Sequence, residues 1–385
     1  MPNRCETNNC KNKMNIINNI LIAQEAEDAH VVMRRNRIRH VVADAFDISD
    51  QQFIKLFRLT KPLVRDLIRD LTPYMKQRQR KSMLDIKRKV LTALHFFAHG
   101  SYQTSVGHNV YLAMSQPSVS RCINEVANAL NEANIMNQWI QFPKTLNELK
   151  HLRQQFYDGH RFPGVIGCID CTHIAIFPPQ VHNVPNPEHL YVNRKGYHSI
   201  NVQLVCDWRL LILNINATYP GSTHDSYIWN NSNLKVGMET IHRTWPNMTF
   251  FLLGDSGYPL RPWLLTPVAN AEENSAEERY NSRQMSCRAL IERCNGLLKM
   301  RFRCLLKHRV LHYTPQIACK IINACAILHN ICIKNDVPFP QYDDDWQDDI
   351  FNQNNGDNEE IENRVNPELA AGKRLRNKLI RNYFT

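Results

Sequence analysis

The stretch GCIDCTHIAI, Gly167 to Ile176, sets an aspartate in the middle of an apolar, β-branched run. Runs of this kind read as buried strands. An unpaired carboxylate buried in one costs at least several kcal/mol. Asp170 therefore needs a partner, and the rest of the chain has to supply it.

Three further acids share its setting. Asp225 follows YPGSTH, Asp255 follows FFLLG, and Glu292 lies in ALIERCNGLLK. Each stands at the end of an apolar strand or on a flanking helix. Carboxylates gathered in one place repel unless a cation lies between them, and oxygen ligands select hard ions such as Mg²⁺ or Mn²⁺. Two such ions about 3.5–4 Å apart activate a water and stabilise the leaving oxygen of a phosphodiester. The alternative is that the acids are salt-bridged to Arg153, Arg194 or Lys195 in the core.

Around these residues the pattern is mixed α/β. FPGVIGCIDCTHIAI, HSINVQLVCDWR and LILNINATYP read as three strands. A helix-compatible HDSYIWNNSNLKVGM follows, then a fourth apolar run, TFFLLGDSGYPL. NSRQMSCRALIERCNGLLKMRF and TPQIACKIINACAILHNICI read as closing helices. The expected domain is a sheet flanked by helices over 160–334.

Before it, over 53–150, the periodicity is helical. Ile86, Val90, Leu91, Leu94, Phe97 and Ala98 fall on one stripe, and Gly100 suits the residue that ends the helix. Ser115 then caps and Pro117 opens another helix. Two helices and a tight turn ahead of Ser118, Ser120 and Arg121 read as a helix-turn-helix offering its last helix to a DNA groove. Plain trihelical packing fits the same pattern. Residues 1–52 read as a polar arm with the basic cluster RRNRIRH, Arg34 to His40. Residues 335–385 read as an acidic linker and a basic tail, GKRLRNKLIRNYF, of the composition of a nuclear-import signal.

The net charge is +11 over 385 residues, but Asn335 to Asn363 holds ten acids and no Lys or Arg. Without those ten, the rest of the chain carries about +21. Such an excess on a folded body suits a polyanion, DNA or RNA. No apolar run approaches the roughly 18 residues of a membrane span, and no secretory h-region opens the chain. The expected location is nucleus and cytoplasm, with no membrane partner. The twelve cysteines are scattered among apolar residues and read as thiols; Cys168 and Cys171 form one C-x-x-C without the second pair that structural zinc needs. GDSGYP, Gly254 to Pro259, resembles a trypsin-type nucleophile segment, but Tyr258 replaces its second glycine. No P-loop motif occurs.

GCIDCTHIAI, YVNRKGYHSINVQLVCD, YPGSTHDSYIW, LLGDSGYPLRPWLLTP, ERYNSRQMSCRALIERCNGLLKMRFRCL and CAILHNIC follow one another in the order typical of PIF/Harbinger transposases. The chain resembles most the animal transposase-derived nucleases of that superfamily, over roughly Lys87 to Ile333. The resemblance implies an RNase H-like DDE catalytic domain preceded by an all-α helix-turn-helix domain. It carries the catalytic triad onto Asp170, Asp255 and Glu292, and adds Asp225 as a further metal ligand. It implies a divalent cation, a DNA substrate, a Myb-like (trihelix) DNA-binding partner protein and, where two DNA ends are cut, a homo-oligomer. The implied activity is a metal-dependent DNA endonuclease; the rival is a domesticated DNA-binding adaptor whose site is unused.

Arg194 and Lys195, beside Tyr191 and Tyr197, read as a grip on a phosphate backbone or as a solvated loop. Arg293, Lys299, Arg301 and Arg303 recur near Glu292 as further DNA contacts. His173 alternates to the face opposite Asp170 and reads as structural, and His224 orients a water or is an ordinary loop histidine.

Overall fold

The computed structural model describes residues 43–77, 84–180, 185–339 and 366–385. The basic cluster Arg34 to His40 and most of the acidic segment lie outside the described residues.

The expected strands form four strands of a five-stranded mixed sheet. β1 (Val165–Ala175), β2 (Ser199–Cys206) and β3 (Ile212–Pro220) are an antiparallel meander. The chain then crosses over through α8 (Asp225–Asn230) and α9 (Asn233–Thr244), which brings β4 (Phe251–Leu253) parallel to β1. A parallel neighbour requires such a crossover, because its start lies at the far end of the sheet. β5 (Leu264–Leu265) completes the order β3-β2-β1-β4-β5. Two residues carry no period, so β5 has no signal in the sequence.

α10 (Ala276–Arg301) and α11 (Pro315–Lys334) cover one face of the sheet. α7 (Leu146–His160), α8 and α9 cover the other, where Leu149, Ile166, Ile169, Trp229 and Met238 form a second apolar cluster. With helices on both faces, β1 is buried along nearly its whole length, which is why its sequence is continuously apolar and not alternating. α7 begins inside the expected helical region, yet it belongs to the sheet.

The preceding helices are α1 (Asp50–Phe57), α2 (Lys61–Leu71), α3 (Ile86–His99), α4 (Gln103–Gly107), α5 (Gln116–Leu130) and α6 (Ala133–Trp139). Asp85 caps α3 by accepting from the Arg88 amide, and Gly100 ends it at φ 61°. A Cβ on Gly100 would lie 2.8 Å from the Cys304 Cα, so this position demands glycine twice over. The expected single stripe understates α3: every residue from Lys89 to Ala98 is buried. Lys89 tolerates this by pairing with Glu125 at 2.8 Å.

α4 and α5 follow α3 with residues 108–115 between them. Ser115 sits at the cap position of α5, but its hydroxyl bonds the Ser118 hydroxyl at 3.0 Å and not a backbone amide. One apolar cluster runs from Phe53 and Phe97 through Ile123 to Ile322, Leu328 and Leu204. The regions expected as 53–150 and 160–334 therefore share a core, with α11 at its centre. α11 has the length and composition of a membrane span, and 72% of its most apolar window is buried here. It is a core helix.

The expected basic tail is also an element of the fold. α12 (Pro367–Tyr383) buries Leu379, Ile380 and the following Phe384, while Arg376 donates to Thr266 O and Pro267 O at 3.1 and 2.7 Å. Arg261 pairs with Glu368 at 3.1 Å.

Candidate metal centre

Asp170 lies mid-way along β1, paired with Leu204, and is 3% exposed. Asp255 follows β4 after Gly254, so the parallel pairing of β1 and β4 brings the two acids together. Its Oδ1 accepts from the Gly257 amide at 3.0 Å, which fixes the turn after the strand. A Cβ on Gly254 would meet the Tyr258 ring at 3.0 Å, so the tight packing behind Asp255 uses the glycine. Asp225 is the first residue of α8 and accepts from the Asn201 amide at 3.0 Å.

Asp170, Asp225 and Asp255 each offer one oxygen, and these oxygens lie within 4.8 Å of one another. Burial pushes the Asp170 carboxyl well above the usual carboxylate range; the charges of Asp255 and Asp225 add to it, and Arg288 opposes. Burial likewise raises Asp225, partly offset by its bond from Asn201. Asp170 Oδ2 accepts from Asn295 at 3.2 Å, whereas its Oδ1 is buried without a hydrogen-bond partner. An orphaned buried oxygen among three carboxylates fits a hard cation, since one ion at about 2.0–2.5 Å from each oxygen spans such a gap.

Glu292 is not gathered with these three. It stands 49% exposed on α10 and is bound to Arg288 one turn earlier at 2.6 Å. It does share their side of the helix, because Arg288, Glu292, Asn295 and Lys299 recur at helical spacing.

The remaining expected contacts divide. Arg194 and Lys195 are exposed in the turn closed by the Val192–His198 bridge, which Gly196 permits at φ 77°. Arg194 is close enough to lower the Asp225 pKa. Ser118 and Arg121 meet at 3.2 Å on the outer face of α5, and Arg293 is exposed. Lys299 is instead buried: its Nζ donates to His173 O at 3.2 Å, and burial pushes its pKa down to about 8. Arg301 is 1% exposed and donates to Val337 O, so it holds the core and not DNA. His173 faces away from Asp170, with its Nδ1 3.1 Å from Ser199 Oγ. Arg153 stands over the Phe250 ring. Cys168 and Cys171 also point to opposite faces of β1, one to Cys287 and the other to the Tyr258 hydroxyl, so the C-x-x-C is no metal pair.

Residues 169–330 match the family described as DDE superfamily endonuclease. "Putative nuclease HARBI1" of Bos taurus is 35% identical over 304 residues, spanning 77% of this chain and 82% of that protein. The chain belongs to the Harbinger-derived nuclease family. The protein of the same name from Homo sapiens is equally similar, and "Protein ALP1-like" of Arabidopsis thaliana is 26% identical over 65% of this chain and 61% of its own length. No solved structure matches significantly.

Three residues of this family member escaped the sequence reading. Asn295 and Asn201 each hold one of the acids, and Arg288 holds Glu292. Asn295 and Arg288 had a signal, their helical spacing from Glu292. Asn201 had none, because only the pairing of β1 with β2 sets it beside the site.

Proposed function

We propose that this protein is a divalent-metal-dependent DNA endonuclease of RNase H-like DDE type. The observation that carries the proposal is the buried meeting of Asp170, Asp225 and Asp255, with an unpaired Asp170 oxygen at its centre. The strand order β3-β2-β1-β4-β5 and the family match support it. Mg²⁺ or Mn²⁺ bound there supplies an activated water and charge neutralisation at the leaving oxygen. The three aspartates would hold the ion, and Asn295 and Asn201 fix two of them in place. Glu292 would complete the set on leaving Arg288. Arg194, Lys195, Arg293 and Arg121 lie exposed, and Ser118 half-buried beside Arg121, where they can meet phosphates. The resemblance extends the proposal to helix-turn-helix docking by α4 and α5, a Myb-like partner, and action in nucleus and cytoplasm.

The engagement of Glu292 with Arg288 favours a second reading, a DNA-binding adaptor whose acid set is never completed. Purified protein incubated with supercoiled plasmid and Mg²⁺, Mn²⁺ or EDTA separates the two. The expected result is metal-dependent nicking that disappears in Asp170→Asn and in Glu292→Gln. Wild type that cuts no more than either folded variant, even with Mn²⁺, refutes the nuclease.

A further inference from the structure

β1 runs on from Asp170 to a second surface. Past the strand, Ile176 bridges to Leu311 and the Phe177 amide donates to Leu311 O at 2.9 Å. This double hold keeps Phe177 outside, 54% exposed, with its ring stacked on His312 at 5.0 Å and 27°. Tyr102, 76% exposed, lies 6.5 Å beyond His312. The result is a row of three exposed rings. Beside it opens a cavity of about 480 Å³, lined by Phe177, Tyr197, His198, Lys307, Val310 and His312 among others. Lys307 Nζ stands 5.0 Å over the Tyr197 ring.

Neighbouring exposed rings of this kind mark a site of interaction. Their surroundings say with what. Lys307, His308 and Arg309 form one basic turn at the groove, and Lys195 follows from the neighbouring loop. The nearby carboxylate of Glu188 is bound to His198. Aromatic faces interleaved with cations suit a nucleic acid strand whose bases are unpaired, because the rings take base faces and the cations take phosphates. An apolar protein partner would offer this basic rim no phosphate or carboxylate.

We infer that this groove binds an unpaired stretch of the DNA strand beside the cleavage site. The inference rests on the nuclease reading for its substrate. Seven residues of extended chain separate Asp170 from Phe177, roughly 23 Å. That distance corresponds to about seven nucleotides at the stacked spacing. The groove would therefore hold melted DNA flanking the scissile phosphate, and it would favour substrates that open there.

The test measures fluorescence anisotropy of labelled oligothymidylate, oligouridylate and blunt duplex with the full chain in EDTA, so that no cleavage intervenes. Expected is binding of oligothymidylate that weakens roughly tenfold in Phe177→Ala and in His312→Ala. Blunt duplex affinity should stay unchanged, and Phe177→Trp should restore strand binding. Wild type that ignores oligothymidylate, or variants that bind it as wild type does, overturns the inference. Tighter binding of oligouridylate overturns the assignment to DNA. A failure of plasmid nicking with Phe177-dependent strand binding intact would sink the nuclease reading and leave the groove as a strand-binding site without a cleavage site beside it.

Discussion

Asn295 donates to Asp170 Oδ2 while Oδ1 stays buried without a partner, so the amide orients the carboxylate and leaves one oxygen for a cation. Groups that orient a ligand in this way typically contribute a factor of 10–100 to metal affinity. Asn295→Ala should therefore weaken Mn²⁺ binding by about that factor in titration calorimetry, with the fold retained; undiminished affinity would remove Asn295 from the site. Asp170 was legible in the sequence because an acid in an apolar strand is an energetic anomaly. Lys299 and Arg301 were misread for the opposite reason. A basic run at a helix end looks like a solvated face, but α10 is enclosed by the sheet on one side and by α11 and the chain near Val337 on another.

Among the elements, α12 shows how context decides the sign of one substitution. Glycine inside a helix normally costs about 1 kcal/mol relative to alanine. Gly237 in α9 has open space where a Cβ would stand, with nothing within 4 Å, so Gly237→Ala should stabilise the protein by about 0.5–1 kcal/mol. Gly372 in α12 faces the Arg261 backbone, where a Cβ would lie 3.0–3.2 Å from three main-chain atoms that cannot rotate away. Gly372→Ala should therefore destabilise despite its better helix propensity. Urea unfolding of both variants checks the pair, and a shift of the same sign in each would contradict the docking. The sequence marks α12 as basic and amphipathic, but what its apolar stripe covers depends on β5 and α10, which lie far away in the chain.

For the whole molecule, the shared core makes stability sensitive to acid. Burial inside α3 pushes the His95 pKa down to about 3, with His99 and Arg58 adding to the effect. The unfolded chain protonates this histidine near its ordinary 6.5, and the folded chain does not until about 3. Its contribution is therefore complete above about pH 6.5 and lost progressively as pH falls towards 3. Asp207 works the other way: burial raises it to about 6, so its cost is relieved on acidification between about 6 and 4. Replacing His95 by Gln should reduce the fall in urea midpoint between about pH 7.5 and 5; an equal fall in wild type and variant would refute the assignment. The sequence by itself determined the order of β1 to β4 and of the two helices that close the sheet domain, the apolar character of β1 and the anomaly of Asp170, because these rest on local periodicity and on the cost of burying a charge. Only the tertiary structure decided which acids meet, that Glu292 turns to Arg288, and that two expected domains share one core. Those outcomes depend on the parallel pairing of β1 with β4 and on the enclosure of α10 and α11, contacts between residues far apart in the chain that no local pattern encodes.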